Sequence, residues 1–106
     1  NDIYAPERDC VFVQISESHI GRCVRTKNWK YSAKAIGSGW YKSKAVHYFD
    51  DFLYDLKNDP YERNNLVDDE NYSKVLHQKR TLLSREMVNA GEKKPRFHRA
   101  VKVREY

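Results

Sequence analysis

Phe52-Leu-Tyr-Asp-Leu-Lys-Asn-Asp-Pro-Tyr-Glu-Arg-Asn-Asn-Leu66 is the stretch from which the fold is read. Phe52, Tyr54 and Leu56 alternate with Leu53, Asp55 and Lys57, which predicts a strand with one aromatic, apolar face. Asn58-Asp59-Pro60 ends it, because Pro60 has no N–H for a ladder and its ring restricts Asp59. A single helical turn is expected next. Asp59 suits the N-cap, Pro60 the first helical position and Glu62 the third, from which its side chain reaches back to the cap. Asn64-Asn65-Leu66 closes the turn, with Leu66 as an apolar plug.

Upstream, Cys10 to Ser16 alternates, with Val11, Val13 and Ile15 on one face. Glu17 to Gly21 reads as a turn. Arg22 to Thr26 and Trp29 to Ala35 read as two further strands around Lys27-Asn28, so the first three strands form an antiparallel meander. Residues 36 to 51 form a long connection, and connections of that length commonly bind something. The fourth strand is expected over 51–56. Downstream, Asp68 or Asp69 caps a helix with the stripe Tyr72, Val75, Leu76, Lys79, Leu82, Leu83 and Met87, and Gly91 stops it.

The fold class that follows is α+β: an antiparallel sheet of about four strands with one C-terminal amphipathic helix on one face. The helix is expected over Val11, Val13, Ile15, Val24, Tyr54 and Leu56. Phe12, Leu53 and Trp29 would then remain on a second apolar face that needs a partner. Residues 1–9, with Pro6, read as a linker from an upstream domain. Residues 10–91 are the folded unit and 92–106 a basic tail, whose residues 100–106 would add an edge strand.

With 106 residues, the chain has room for one small domain, and it reads as a fragment of something longer. Its longest apolar run, Cys10 to Val13, is far too short to span a membrane. The net charge of +5 is blocked: residues 20–47 carry seven Lys/Arg and no acid, and 48–72 carry eight acids and two bases. Blocks of this kind belong to faces with different surroundings. Cys10 and Cys23 fall on strands that could be neighbours, which leaves either a disulfide or, the favoured reading, two buried thiols. Neither a Cys-x-x-Cys nor a paired-His spacing occurs, so no metal ligands are assigned.

Two blocks of sequence resemble the C-terminal subdomain of type I sulfatases of the arylsulfatase and heparan N-sulfatase kind. The first is Leu53-Tyr54-Asp55-Leu56, Asp59-Pro60, Glu62 and Asn65-Leu66. The second is Gly21-Arg22, Val24-Arg25-Thr26 and Trp29-Lys30-Tyr31. The resemblance spans residues 10 to 90. It implies a parent hydrolase of the alkaline-phosphatase superfamily that cleaves sulfate esters or sulfamates of small molecules or glycans. It also implies a calcium ion, a formylglycine nucleophile, and a periplasmic, secreted or lysosomal-type setting. The N-terminal catalytic domain of the same parent is the implied partner. Formylglycine arises in a Cys/Ser-x-Pro/Ala-x-Arg motif, which neither Cys10 nor Cys23 begins, so the fragment alone is expected to be inactive.

The candidate substrate contacts are Trp40, Tyr41, Lys42 and His47 in the long connection. Aromatic rings there would stack on sugar or aryl faces, and Lys42 would meet sulfate. Arg22 and Arg25 are suited to oxyanions by their guanidinium forks, but the favoured role is structural ion pairing. Asp55 and Glu62 are read as hydrogen-bonding struts rather than an acid/base pair, and Tyr54, Asp59, Pro60, Asn65 and Leu66 as structural parts of the motif. Trp29, Tyr31, Trp40 and Tyr41 among basic residues leave a single-stranded nucleic-acid or protein-binding module as the alternative. The acidic block at 48–72 opposes the nucleic-acid reading.

Overall fold

In the strand ladders, Phe12 stands opposite Val24, Val24 opposite Tyr31 and Tyr31 opposite Leu53, so one row of side chains crosses four strands. These pairings come from a computed structural model, which describes residues 10–16, 20–35 and 47–99. The strands are β1 (Val11–Ser16), β2 (Ile20–Arg25), β3 (Trp29–Ala35), β4 (His47–Asp55) and β5 (Arg96–His98). Between β4 and β5 lie a 3-10 turn (Glu70–Tyr72) and the helix α1 (Ser73–Asn89). The sheet order is β1-β2-β3-β4-β5, antiparallel except for the β4–β5 pair.

The α+β class holds, with two differences from expectation. β4 starts at His47, within the expected connection, and β5 adds a fifth, parallel strand. β5 is only three residues long, too short for alternation to reveal it. It comes from the stretch read as tail. Residues 1–9, 17–19, 36–46 and 100–106 lie outside the described residues, and with them most of the turn expected over 17–21.

α1 covers the Phe12–Val24–Tyr31–Leu53 row with Leu82, Leu83 and Met87. This corrects the expected faces. Val11 and Val13 are 54% and 42% exposed, while Leu53 is fully buried and Trp29 and Phe12 pack against the core. Tyr54 stays half-buried on the open side, opposite Lys30. Val11-Phe12-Val13 is apolar at every position, so alternation alone could not choose its inward face. The largest residue of the three took it.

The stop at Gly91 is as read, but the N-cap of α1 itself is Tyr72, which makes no side-chain cap bond. The Asp69 carboxylate accepts from the Asn71 N–H and caps the 3-10 turn that leads into α1. At the other end Gly91 has φ +91°. Glu92 N–H donates to Met87 O at 2.9 Å and Gly91 N–H to Val88 O at 3.0 Å, a Schellman stop.

One irregularity positions chemistry. Ser32 faces Phe52 but Ala33 faces Asp50, so Asp51 is an extra residue in β4. Without this bulge, alternation from Leu53 would point Asp51 at α1 and Asp50 away from it. With it, Asp50 turns under the helix and is 2% exposed.

Candidate functional site

The turn after β4 is held by three side chains. The Asp55 carboxylate accepts from the Lys57 and Asn58 N–H groups at 3.1 and 3.2 Å and from Asn58 Nδ2 at 2.8 Å. These bonds, the Asn58 side-chain bond foremost, hold the Asp55 carboxyl below the usual range for aspartate. Asp59 accepts from Arg63 and Asn64 N–H at 2.8–3.0 Å. The expected capping box is absent. Glu62 has φ +57°, a left-handed conformation that no helical turn tolerates, and the Asp59 N–H goes to Asp55 O. The Glu62 carboxylate instead reaches β3 and pairs with Lys30 at 3.2 Å.

Asn65 ties the turn back to β4. Its Oδ1 accepts from both Leu53 N–H and Val67 N–H at 3.0 Å, and its Nδ2 donates to Asp51 O at 3.0 Å. Leu66 N–H donates to Leu53 O at 2.8 Å. β5 pairs with β4 only at residues 47–49, so segment 65–67 covers the edge of β4 that β5 leaves open.

The arginines separate. Arg22 Nε donates to both oxygens of Glu92 at 3.0 Å, and Gln14 Nε2 donates to the same carboxylate. Arg22 thus ties β2 to the end of α1 through Glu92. Arg25 is exposed, opposite Val11. Cys23 lies opposite Val13, whereas Cys10 lies beyond the Val11–Arg25 pair, too far along the ladder for a disulfide. Burial, the largest cause, raises the Cys23 thiol pKa, as for an inert core cysteine.

Among the described residues no helix or strand packs on the sheet face away from α1, although Cys23 and Ser32 on it are themselves buried. Lys34 pairs with Asp51 at 3.8 Å, and Phe52 stacks on Tyr54 with centroids 4.9 Å apart. Lys30 Nζ lies 5.5 Å from the Phe52 ring centroid. His47, expected in a loop, is in β4: its Nδ1 is 2.9 Å from His98 Nε2, and His98 stacks on Phe49. Val11 and Val13 continue this face across β1. Trp40, Tyr41 and Lys42 lie outside the described residues. The Trp29 and Tyr31 platform of the nucleic-acid alternative is not there. Trp29 meets Tyr72 edge-on, and Tyr31 is fully buried.

The reading of residue types missed the buried cluster under α1. The Asp50 carboxylate accepts from Tyr31 Oη at 2.6 Å, Arg80 Nε at 3.1 Å and Arg80 Nη2 at 2.5 Å. Burial, then the Asp50 charge and hydrogen bond, pushes the Tyr31 hydroxyl pKa far above its usual range. Asp50 fell in the connection expected over 36–51, and even in the longer β4 simple alternation from Leu53 points it away from α1.

Among the described residues, no three His, Cys, Asp or Glu side chains converge as metal ligands. They do not fit a calcium site. No helix of the described residues is long and apolar enough to cross a membrane.

No family model matches the chain. It is 41% identical over 63 residues to the Delta 4,5-hexuronate-2-O-sulfatase of Bacteroides thetaiotaomicron VPI-5482, a stretch that is 59% of this chain and 11% of that protein. A candidate sulfatase of Bacteroides thetaiotaomicron VPI-5482, solved as a crystal structure, matches 79% of this chain with TM-score 0.64 and 29% identity. A solved 2-O GAG sulfatase matches 78% with TM-score 0.63 and 30% identity. In each structure the match is 17% of the larger chain. The chain therefore spans under a fifth of the length of the sulfatases it resembles.

Proposed function

We propose that this chain, a sulfatase C-terminal subdomain by its sequence and its fold, serves a larger hydrolase that removes sulfate from 2-O-sulfated uronic acid units of glycans. The observation that carries the reading is the 41% identical stretch shared with a hexuronate-2-O-sulfatase, of which it is only 11%. On this reading the subdomain docks its open sheet face, from Val11 and Val13 to Phe49 and Tyr54, onto the catalytic part. The exposed valines and the half-buried aromatic ladder support that placement, since a neighbour would withdraw apolar area from water. Formylglycine and calcium belong to the catalytic part, and no step is assigned here to residues of this chain.

Trp40, Tyr41, Lys42 and His47 are assigned to one wall of the substrate cleft. The test is the Trp40→Ala, Lys42→Ala double variant of the whole enzyme. The kcat/KM for a 2-O-sulfated disaccharide should fall more than that for a simple aryl sulfate, with an unchanged melting temperature. Equal loss on both substrates, or none on either, would remove these residues from the cleft.

A further inference from the structure

The sheet treats its edges unequally. β5, at one end, is three residues long and carries Arg96, the short and charged kind of edge that resists pairing with another chain. Where β5 stops, segment 65–67 covers β4, with Leu66 N–H on Leu53 O and Leu53 N–H on Asn65 Oδ1. β1, at the other end, runs Val11-Phe-Val-Gln-Ile-Ser16 in unbroken register with β2. It has no proline, and it is the only described strand without a charged residue. None of the devices that blunt an edge is present in it.

The hydrogen-bond phase of the ladder shows which backbone groups lie on that edge. Thr26 and Trp29 continue the β2–β3 register, and Thr26 N–H donates to Trp29 O at 2.8 Å. The even-numbered residues of β2 therefore point their N–H and C=O groups at β3. The odd-numbered ones, Gly21, Cys23 and Arg25, point theirs at β1, where they meet Ile15, Val13 and Val11. Phe12, Gln14 and Ser16 are left with their N–H and C=O groups aimed away from the sheet. Among the described residues no backbone group pairs with them. Beside this row Val11 and Val13 stand exposed on the face away from α1. Strand addition uses these two features together: main-chain bonds give affinity, and alternate side chains give fit.

We propose that β1 accepts an extended strand from the catalytic part of the parent sulfatase, so that the sheet runs on from one part into the other. The incoming segment is uncharged and sets apolar side chains beside Val11 and Val13. In both solved sulfatases the match is 17% of the chain, so a parent has ample polypeptide to supply it. Docking on the face away from α1 already brings the catalytic part to Val11 and Val13, and a strand laid along the edge continues that contact. A second copy of this chain would compete for the same strand. The identity of the partner rests on the sulfatase reading; the unguarded edge does not.

Amide hydrogen exchange, read residue by residue in the chain alone and in the whole enzyme, tests this. In the chain alone the amides of Phe12, Gln14 and Ser16 should exchange fast, and those of Val13 and Ile15, bonded to β2, slowly. In the whole enzyme the first three should slow roughly a hundredfold or more. Gln14→Pro removes one outward N–H and no bond to β2, so its association with the separately produced remainder should weaken roughly tenfold. Gln14→Thr loses the same side-chain bond to Glu92 but keeps the N–H, and should associate as the unaltered chain does. The exchange measurement needs no variant and decides even where Gln14→Pro fails to fold. Outward amides as fast in the whole enzyme as in the chain, protection already present in the chain alone (from its own segments or a second copy), or equal association by Gln14→Pro and Gln14→Thr would each overturn the proposal. Unprotected amides in a parent that desulfates a 2-O-sulfated uronic disaccharide would refute the added strand alone. Protected amides in a parent inert to sulfate esters would refute the sulfatase reading and spare the paired edge.

Discussion

Asp50→Ala should be the most damaging single polar substitution in the described chain. It deletes the acceptor of Tyr31 Oη and both Arg80 bonds in one step. Breaking a buried ion pair by removing one partner costs ~3–5 kcal/mol. Arg80 is 23% exposed, so water recovers part of its loss, and the lower end, about 3 kcal/mol, applies. The Tyr31 hydroxyl is buried and left without its acceptor, which adds about 1–2 kcal/mol. The total, about 4–5 kcal/mol, approaches the whole stability of a domain this small. Asp50→Asn keeps an acceptor for Tyr31 but sets an amide against Arg80, so about half that loss is expected. In the triple variant Asp50→Ala, Arg80→Met, Tyr31→Phe no buried group is orphaned, and it should be more stable than Asp50→Ala alone. Urea melts followed by far-UV circular dichroism give each number. A loss under about 1 kcal/mol for Asp50→Ala, or a triple variant whose losses simply add, would show that the three groups are not one coupled cluster.

Asn65→Ala removes two acceptor bonds and one donor bond from an exposed side chain, so about 1–3 kcal/mol is expected. Faster hydrogen exchange at the Leu53 amide should accompany it, and an unchanged rate would show that the loop does not seal the edge. Leu83→Ala, at a fully buried site, should cost ~2–5 kcal/mol in the same melts, and Leu76→Ala, at a half-buried one, clearly less; equal losses would contradict the packing of α1. Alkaline stability follows from the raised pKa of Tyr31. Ionisation is costlier in the folded chain than in the unfolded one, whose tyrosine titrates near 10.0. The contribution is therefore intact below that pH and is lost as pH climbs through the raised folded value. Tyr31→Phe should flatten this alkaline decline, and an unaltered slope would refute the assignment.

What sequence could and could not disclose follows from the physics of each element. The ends of the helical region were legible because caps and stops are local: Asp69 needs only the next N–H groups, and Gly91 only its own φ. The buried stripe from Lys79 to Met87 was legible because its period is unambiguous. The face of β1 was not, since Val11-Phe12-Val13 fits either side and only the Phe12–Val24 register decides. Asp50 was hidden by the one extra residue at Asp51. The motif turn was rightly placed but wrongly built. Asp59-Pro60 and Glu62 fit a capping box by type, yet the pull of Lys30 on β3 and the left-handed Glu62 are tertiary facts. Of the candidate site, the bonds of Asn65 to β4 are tertiary and were not read from its type, and His47 was placed in a loop rather than a strand.

The exposed face of β1 offers the most direct measurement of all. Val11→Glu, Val13→Glu changes two exposed residues, and the carboxylate introduced at the first of them would face Arg25, so the melt should stay within ~0.5 kcal/mol of the original. The chain and the remainder of its sulfatase, produced separately, should associate in sedimentation experiments, and the double variant should not. Failure of the unaltered chain to associate, or equal association by the variant, would contradict docking through the open sheet face.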